Sequence, residues 1–175
     1  MNNSRLYLKF PTLEDKENVL AFKQEFLRFG QEMAGTGGLD RFNTYEEWLE
    51  KVKNDPNPNP TSGRVPAGLF LAYTKEGNNL VGMLQIRYQL NEGLLKGGGH
   101  IGDCVRPTEQ GKGYATEQIG LALEMCKQKE INPVLITCNK TNVASAKTII
   151  KNGGVLENEI EDDGEMVQRY WIELQ

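Results

Sequence analysis

Hydrophobic and polar residues alternate with two different periods in the first part of the chain. Apolar residues at every second position of residues 6–10 predict a half-buried strand, which Pro11 ends. Thr12 and Asp15 then form a capping-box pattern, typical of a helix start. The apolar residues that follow recur at helical spacing and are Val19, Phe22, Phe26 and Phe29.

A second helical pattern follows the glycine-rich residues 35–38, which favour a loop. Thr44 and Glu47 repeat the capping signal at its start. Its apolar stripe comprises Tyr45, Trp48, Leu49 and Val52. The stretch Asn54–Pro66, with prolines at 56, 58, 60 and 66, predicts a surface loop within one domain.

The rest of the chain predicts strands and helices in alternation. In chain order they are the strands Ala67–Tyr73, Leu80–Leu90 and His100–Val105, the helix Gly113–Lys129, the strand Pro133–Cys138, the helix Asn142–Lys151, and a hairpin of Val155–Ile160 and Met166–Leu174. Because Pro133–Cys138 is apolar and β-branched, we expect a central strand there. The order β-α-α-β-β-β-α-β-α-β-β predicts an α+β fold, a mixed and mostly antiparallel sheet with helices on both faces. We expect residues 1–175 to form a single domain.

Composition excludes several functional classes. A net charge of -4 and a pI near 5.2 leave no basic surface that would suit nucleic acid. The chain has no apolar segment of signal-peptide length and no run of about 18 apolar residues, so we expect a cytoplasmic protein without a membrane span. Cys104, Cys126 and Cys138 are widely spaced, and His100 is the only histidine. We therefore expect reduced thiols and no metal site.

The segment of residues 105–116, VRPTEQGKGYAT, carries the clearest chemical signal. A strand ends, a loop containing Gly111 and Gly113 follows, and a helix begins at once. The first amides of that helix lack intrahelical acceptors and lie at the positive end of the helix dipole, so they suit a phosphate or pyrophosphate. Glycines let such a ligand approach the backbone, and Lys112 adds a positive charge. We call Gln110–Thr116 the glycine loop.

The loop by itself leaves the ligand open. No G-x-x-x-x-G-K-[ST] pattern is present, which excludes a Walker A loop. Gly111, Gly113 and Thr116 give G-x-G-x-x-T without a second βαβ unit, so a dinucleotide site fits poorly. An ordinary strand–loop–helix junction that binds nothing is a further alternative.

This region resembles the GNAT N-acetyltransferase superfamily, whose cofactor motif [QR]-x-x-G-x-[GA] follows a strand ending in V-x-P. Gln110, Gly113 and Ala115 match the motif, after a strand that ends at residues 105–107, VRP. The helix from Asn142 to Gly153 has the spacing of the family's second motif. The resemblance covers residues 80–174, and the segments GGHIGDCVRP and KNGGVLENE are similar to an uncharacterised bacterial branch of predicted acetyltransferases.

The resemblance implies acetyl-CoA as cosubstrate and direct attack of a primary amine on its thioester. The pantetheine arm would pair with the strand ending at Val105, splayed from Val134–Cys138, and the Val105 N–H would stabilise the oxyanion. The resemblance places these residues around the cofactor: Cys104, Val105, Gln110, Gly111, Lys112, Gly113, Tyr114, Ala115, Thr116, Asn142, Ser145 and Lys147.

The catalytic base and acid depart from the family pattern. Many relatives carry a tyrosine seven residues after the asparagine, where this chain has Ile149, and Tyr114 is too early in its helix to replace it. Some relatives carry a glutamate or histidine six residues before the V of V-x-P. That position is Gly99 here, so the neighbouring His100 is the first candidate base and Asp103 the alternative.

The acceptor side offers weaker signals. The acidic residues between 157 and 165 form either a solvated turn or a surface that attracts a cationic amine, and Met33–Phe42 is a candidate lining. We expect a small-molecule or peptide amine as acceptor, and homodimers are common in the superfamily. A non-catalytic acyl-CoA-binding module and a dinucleotide-binding oxidoreductase are the rival functions.

Overall fold

The computed structural model describes residues 3–175 of the chain. This part contains the predicted elements in the predicted order: β1 (Leu6–Lys9), α1 (Lys16–Phe29), α2 (Tyr45–Asn54), β2 (Ala67–Thr74), β3 (Leu80–Arg87), β4 (Ile101–Val105), α3 (Tyr114–Gln128), β5 (Val134–Asn139), α4 (Val143–Lys151), β6 (Val155–Asp162) and β7 (Glu165–Ile172). A π-helical turn, Leu94–Gly98, precedes β4 and was not predicted. The predicted strand over 80–90 ends earlier, at Arg87.

The strands form two antiparallel sheets, in the orders β1-β2-β3-β4 and β5-β7-β6. Helices cover both faces of the first sheet, as predicted. Leu69 and Leu71 of β2 pack into a core cluster with residues of α1 and α2. Phe70, between them, packs on the other face with Ile119 of α3. Since β2 is buried along its whole length, it lies at the centre of the fold.

The predicted apolar stripes of α1 and α2 form the core on that first face. Phe22, Phe26 and Trp48 are each at most 1% exposed, and burying such a side chain stabilises the fold by about 1.5–3 kcal/mol. The indole Nε1 of Trp48 donates to the carbonyl of Thr36 at 2.7 Å, which fixes the loop between the two helices. Phe29 is an exception, because it is the last residue of α1 and is 51% exposed.

Side chains cap three of the helical starts as the sequence predicts. The Thr12 N–H donates to Asp15 at 2.8 Å, and the Thr44 N–H donates to Glu47 at 3.3 Å. The Asn142 Oδ1 accepts from the N–H of residue 145 at 3.1 Å, at the start of α4. The Thr12 cap begins a 3₁₀ turn, Leu13–Asp15, that leads into α1, and the other two caps set where α2 and α4 begin.

The two sheets lie side by side and meet at one end of β4 and β5. There the His100 N–H donates to the carbonyl of Leu135 at 2.7 Å, and the Leu135 N–H donates back to the His100 Nδ1 at 2.9 Å. Beyond this junction β4 and β5 belong to separate hydrogen-bonded ladders. Strand β5 therefore lies between β4 and β7, in the middle of the fold, although it is an edge of its own sheet.

Candidate functional site

Along β4, the backbone N–H and carbonyl groups of successive residues point alternately toward β3 and away from it. At its start, the Arg87 N–H donates to the carbonyl of His100 at 2.7 Å, and at its end the Arg106 N–H donates to that of Val81 at 2.8 Å. Antiparallel strands alternate hydrogen-bonded and non-bonded pairs. The bonded pairs of β4 with β3 are therefore those of its even-numbered residues.

Because the even-numbered residues of β4 bond to β3, the N–H and carbonyl groups of Cys104 point toward its partner Met83. Those of Asp103 and Val105 point away from β3. The Val105 carbonyl accepts from the Gln110 Nε2 at 3.0 Å. The Val105 N–H points in the same direction as this carbonyl, away from β3. Asp103 and Val105, rather than Cys104, thus present the backbone groups to which an extended ligand could bind.

These groups open into a cleft of about 420 Å³, which we call the central cleft. It extends from the end of β4 across the start of α3 to the exposed side of α4. The residues that line it are Asp103, Cys104, Val105, Glu109, Gln110, Gly111, Gly113, Tyr114, Ala115, Thr116, Asn142, Ala144, Ser145, Lys147, Thr148 and Lys151. The sequence-predicted cofactor residues lie together here, apart from Lys112, whose side chain pairs with Glu109 at 2.8 Å.

The glycine loop directs its amides into the central cleft. Gly111 and Gly113 have φ of +79° and +85°, a left-handed conformation that side chains disfavour, and Gly113 is the N-cap of α3. The Glu117 N–H is the first to bond within the helix, to the Gly113 carbonyl at 3.3 Å. Within residues 3–175, the amides from 111 to 116 have no acceptor. They lie at the positive end of the helix dipole, an arrangement that suits an anion.

A glutamate of α1 fixes the connection that leads into this loop. Glu25 is 8% exposed and accepts from the Thr108 N–H at 2.8 Å, from its hydroxyl at 2.6 Å, and from the Arg106 Nε at 2.9 Å. Burial alone would raise the pKa of Glu25, but the bonds from Thr108 and the charge of Arg106 hold the pKa below its ordinary value of 4.5. The carboxylate therefore ties α1 to the end of β4.

An arginine near the N-terminus holds the other side of the loop. The Arg5 Nη2 donates to the Lys112 carbonyl at 2.8 Å, and its Nε donates to Glu117 at 2.6 Å. The guanidinium also stacks on the Tyr114 ring, 4.6 Å from its centroid. Sequence reasoning missed Arg5 and Glu25, since neither belongs to a local motif.

Helix α4 supplies two uncompensated cations. Lys147 and Lys151, one turn apart, line the central cleft, and neither forms an ion pair with the residues that the structure describes. The sequence identified Lys147 but not Lys151. Ile149, at the position of the family's tyrosine, is fully buried in the core, so that position offers no proton donor to the cleft.

Asp103 lines the central cleft, and α3 holds its carboxyl group. The Gln118 Nε2 donates to its Oδ2 at 2.7 Å and to the Cys104 carbonyl at 3.2 Å. Burial raises the pKa of Asp103 to about 6, although the bond from Gln118 lowers it. The buried Gln118 Oε1 has no partner in residues 3–175 and occupies the space beside Gly82, where a Cβ would lie 2.0 Å from it.

His100 is placed differently from the sequence-based expectation. Its ring is 7% exposed, lies outside the lining of the central cleft, and uses Nδ1 to accept from Leu135. Burial, together with the charge of Arg87, lowers its pKa. These contacts favour a role in joining the two sheets, and Asp103 is the candidate base with access to the cleft.

The sequence predicted the acceptor side in the loop between α1 and α2 and in the β6–β7 hairpin. Gly35, within the predicted lining 33–42, packs on β4 so closely that a Cβ would lie 2.1 Å from the Gly102 carbonyl. Several acidic hairpin residues have internal partners: Glu157 pairs with Arg169, Glu159 with Lys140, and Glu165 with Asn139. Of the acidic charges in this hairpin, those of Glu157 and Glu159 are therefore paired with cations.

Neither a metal cluster nor a membrane span is found in the described chain. No group of three or more histidine, cysteine, aspartate or glutamate side chains in residues 3–175 is arranged to hold a metal ion. No helix in that range combines the length and apolarity that crossing a membrane requires. Cys104, Cys126 and Cys138 are free thiols.

Comparison with known proteins links this geometry to a family. The family model described as an acetyltransferase (GNAT) domain matches residues 5–155, most of the chain. A comparison of the sequence with curated proteins found no significant match.

Solved acetyltransferase structures have the same fold as this chain. RimL, a ribosomal L7/L12 alpha-N-protein acetyltransferase in complex with coenzyme A, is 18% identical with a TM-score of 0.72, over 99% of this chain and 97% of that one. The microcin C7 self immunity acetyltransferase MccE, with acetyl-CoA and AMP, is 19% identical with a TM-score of 0.68, over 98% and 94%. A chimera of Vibrio cholerae spermidine N-acetyltransferase SpeG and hSSAT is 17% identical with a TM-score of 0.64, over 97% and 96%.

Proposed function

The chain belongs to the GNAT acetyltransferase family, and from this premise we propose that it transfers the acetyl group of acetyl-CoA to a primary amine by direct attack on the thioester. One observation carries the proposal. Gly111, residues 113–116 and the β4 residues Asp103 and Val105 line a single continuous cleft. Diphosphate and thioester could therefore be held at its two ends.

The residues of the central cleft fit acetyl-CoA. The glycine loop would hold the diphosphate through its amides, since these have no other acceptor in residues 3–175. The outward backbone of Asp103 and Val105 would pair with the amides of the pantetheine arm as an added strand. Asn142, Ser145 and Lys147 would contact the far side of the cofactor from α4.

Two groups of β4 would carry the chemistry. The Val105 N–H would donate to the oxygen of the thioester carbonyl as negative charge develops there. The Asp103 carboxylate would accept a proton from the attacking amine, directly or through one water. With a pKa near 6, most of this carboxyl is ionised at pH 7, so it can act as a base there.

The atoms balance without a metal or redox partner. A C–N bond forms between the amine and the acetyl carbon, and the C–S bond of the thioester breaks. The amine loses one proton, and the sulfur leaves as a thiolate that takes up one proton to give coenzyme A. Because Ile149 is buried where many relatives have a tyrosine, solvent or the protonated Asp103 would supply that proton.

Thiol release is the direct test of this function. Acetyl-CoA is incubated with the protein and panels of primary amines, peptides and aminoglycosides, and free coenzyme A is measured. We expect release above the hydrolytic background for at least one class of amine, with the acetylated amine detected by mass spectrometry. Tight acetyl-CoA binding without release for any amine would instead favour the non-catalytic module.

We expect Lys151→Glu to weaken acetyl-CoA binding about tenfold at low salt, because the reversed charge would face the phosphates of the cofactor. Calorimetric titration at two salt concentrations measures the change, which should shrink as salt screens the charges. Lys53→Glu is the matched control, since Lys53 is also an exposed lysine in the last turn of a helix but lies outside the cleft. Equal affinity in both variants would exclude Lys151 from the cofactor site.

A further inference from the structure

A second cavity, of about 230 Å³, lies on the α2 side of the first sheet. Its walls come from the end of α2, the segment before β2, the end of β3 and the turn before β4. Its polar lining comprises Lys51, Asp55, Arg64, Gln85, Arg87 and Asn91. These residues do not line the central cleft, so the cavity is a separate feature.

The charges of this cavity do not balance. Its carboxylate, Asp55, accepts from Lys51 at 2.7 Å and from Arg64 at 3.3 Å, so two cations share it. The Arg87 side chain is partly buried, and this burial lowers the pKa of its guanidinium. Its Nη1 donates to the carbonyls of Gly98 and Gly99, at 2.9 and 3.3 Å, and it forms no ion pair among residues 3–175.

A buried cation without a counter-charge is costly, and backbone carbonyls compensate it only in part. The other edge of the Arg87 guanidinium is directed toward β4. Its Nη2 lies 3.2 Å from where a Cβ of Gly102 would be, so a side chain there would crowd it. Gln85, the register partner of Gly102, adds an amide to the same wall. A planar or tetrahedral oxyanion could bind Arg87, Gln85 and Lys51 together.

We propose that this cavity binds a carboxylate or phosphate group through Arg87, independently of the central cleft. The group is either a free anion or the anionic end of the acceptor amine, and the second alternative rests on the proposed function. Gly102 lies three residues before Val105, a separation of about 10 Å along a strand. An acceptor with its amine beside Val105, where the thioester would lie, and an anionic group about that far away would occupy both sites.

Inorganic phosphate tests the site without any catalysis. With coenzyme A saturating the central cleft, we expect phosphate to bind the native protein and to raise its Tm, whereas Arg87→Gln lowers the phosphate affinity at least tenfold. Lys53→Gln, on the same helix as Lys51 but outside the cavity, should bind phosphate like the native protein. Absence of phosphate binding, or equal affinity in the native and Arg87→Gln proteins, overturns the proposal.

A second variant keeps the proposal testable if Arg87→Gln does not fold. If circular dichroism shows that Arg87→Gln is unfolded, Gln85→Leu is measured instead, because it removes a cavity amide and leaves the carbonyl contacts of Arg87 intact. We expect a several-fold loss of phosphate affinity in Gln85→Leu. Unchanged affinity there would contradict the site.

Matched amines distinguish the two sources of the anion. Triglycine places its carboxylate about 10 Å from its amine when extended, and triglycine amide lacks that charge. If the acceptor supplies the anion, the KM of the native enzyme should be at least tenfold lower for triglycine, and Arg87→Gln should abolish the difference. Equal KM values together with Arg87-dependent phosphate binding would support the site for a free anion and overturn the acceptor alternative.

Discussion

Asp103→Asn is expected to lower kcat/KM by about a hundredfold or more, while the affinity for acetyl-CoA changes little. The amide keeps the size of the side chain and a hydrogen-bond acceptor for Gln118, but it cannot take a proton from the amine. General-base catalysis of this kind contributes about 10²–10⁴-fold in other enzymes. Steady-state kinetics with the amine found by thiol release, and titration with acetyl-CoA, measure the two quantities.

The same assignment predicts the direction in which kcat/KM changes with pH. Burial raises the pKa of Asp103 to about 6, so kcat/KM of the native enzyme should rise with pH through that value as the base loses its proton. Gln118→Leu removes the hydrogen bond that favours the carboxylate. The rise should then move to higher pH, whereas a merely structural defect would scale the whole profile down.

His100→Asn is the matched control for the base. The Asn Oδ1 can accept from the Leu135 N–H as the His100 Nδ1 does, so the junction of the two sheets should persist. We expect its kcat/KM to stay within about threefold of the native value, with the pH profile unmoved. If kcat/KM fell as much in His100→Asn as in Asp103→Asn, His100 rather than Asp103 would be the better candidate for the base.

The order of elements was predictable because it depends on local patterns. Hydrophobic period, the capping residues Thr12 and Thr44, and the glycines of the loop act within a few positions of one another. The same holds for the predicted phosphate site, since a strand end, two glycines and a helix start are contiguous in sequence. Such features need no knowledge of what packs against them.

The choice between His100 and Asp103 could not be made from sequence. It depends on which face of β4 each side chain occupies and on what lies opposite. The direction of the Val105 N–H depends on which residues of β4 hydrogen-bond to β3, a strand about twenty residues away in sequence. Gln118, which holds Asp103, comes from a helix whose apolar stripe gives no sign of that contact.

The sequence did not indicate the role of Glu25, because the partners of its carboxylate are 81 and 83 residues away along the chain. Its spacing on α1 matches the core stripe of that helix, and it is indeed buried there. What the pattern cannot show is that Arg106 and Thr108, from the end of β4, supply the donors. The stability of the fold and the position of the glycine loop therefore depend on one carboxylate.

Glu25→Ala is expected to destabilise the protein by about 3 kcal/mol, because it leaves the Arg106 charge and the Thr108 N–H without their partner in a largely buried site. Chemical denaturation measures this loss, which corresponds to a fall of about 6–12 °C in Tm for a chain of this size. Glu17→Ala, an exposed glutamate on the same helix, is the control with the same charge change. A similar loss in both variants would assign the effect to helix charge.

The contribution of Glu25 should also depend on pH with a defined sign. Because the folded-state pKa lies below the ordinary 4.5, the stabilisation is fully present above that value and is lost as pH falls through the folded-state pKa. The difference in unfolding free energy between the native protein and Glu25→Gln should therefore be constant near neutrality and shrink below pH 4.5. If the difference instead grew on acidification, the carboxylate would not be the charged acceptor that ties α1 to the segment leading into the glycine loop.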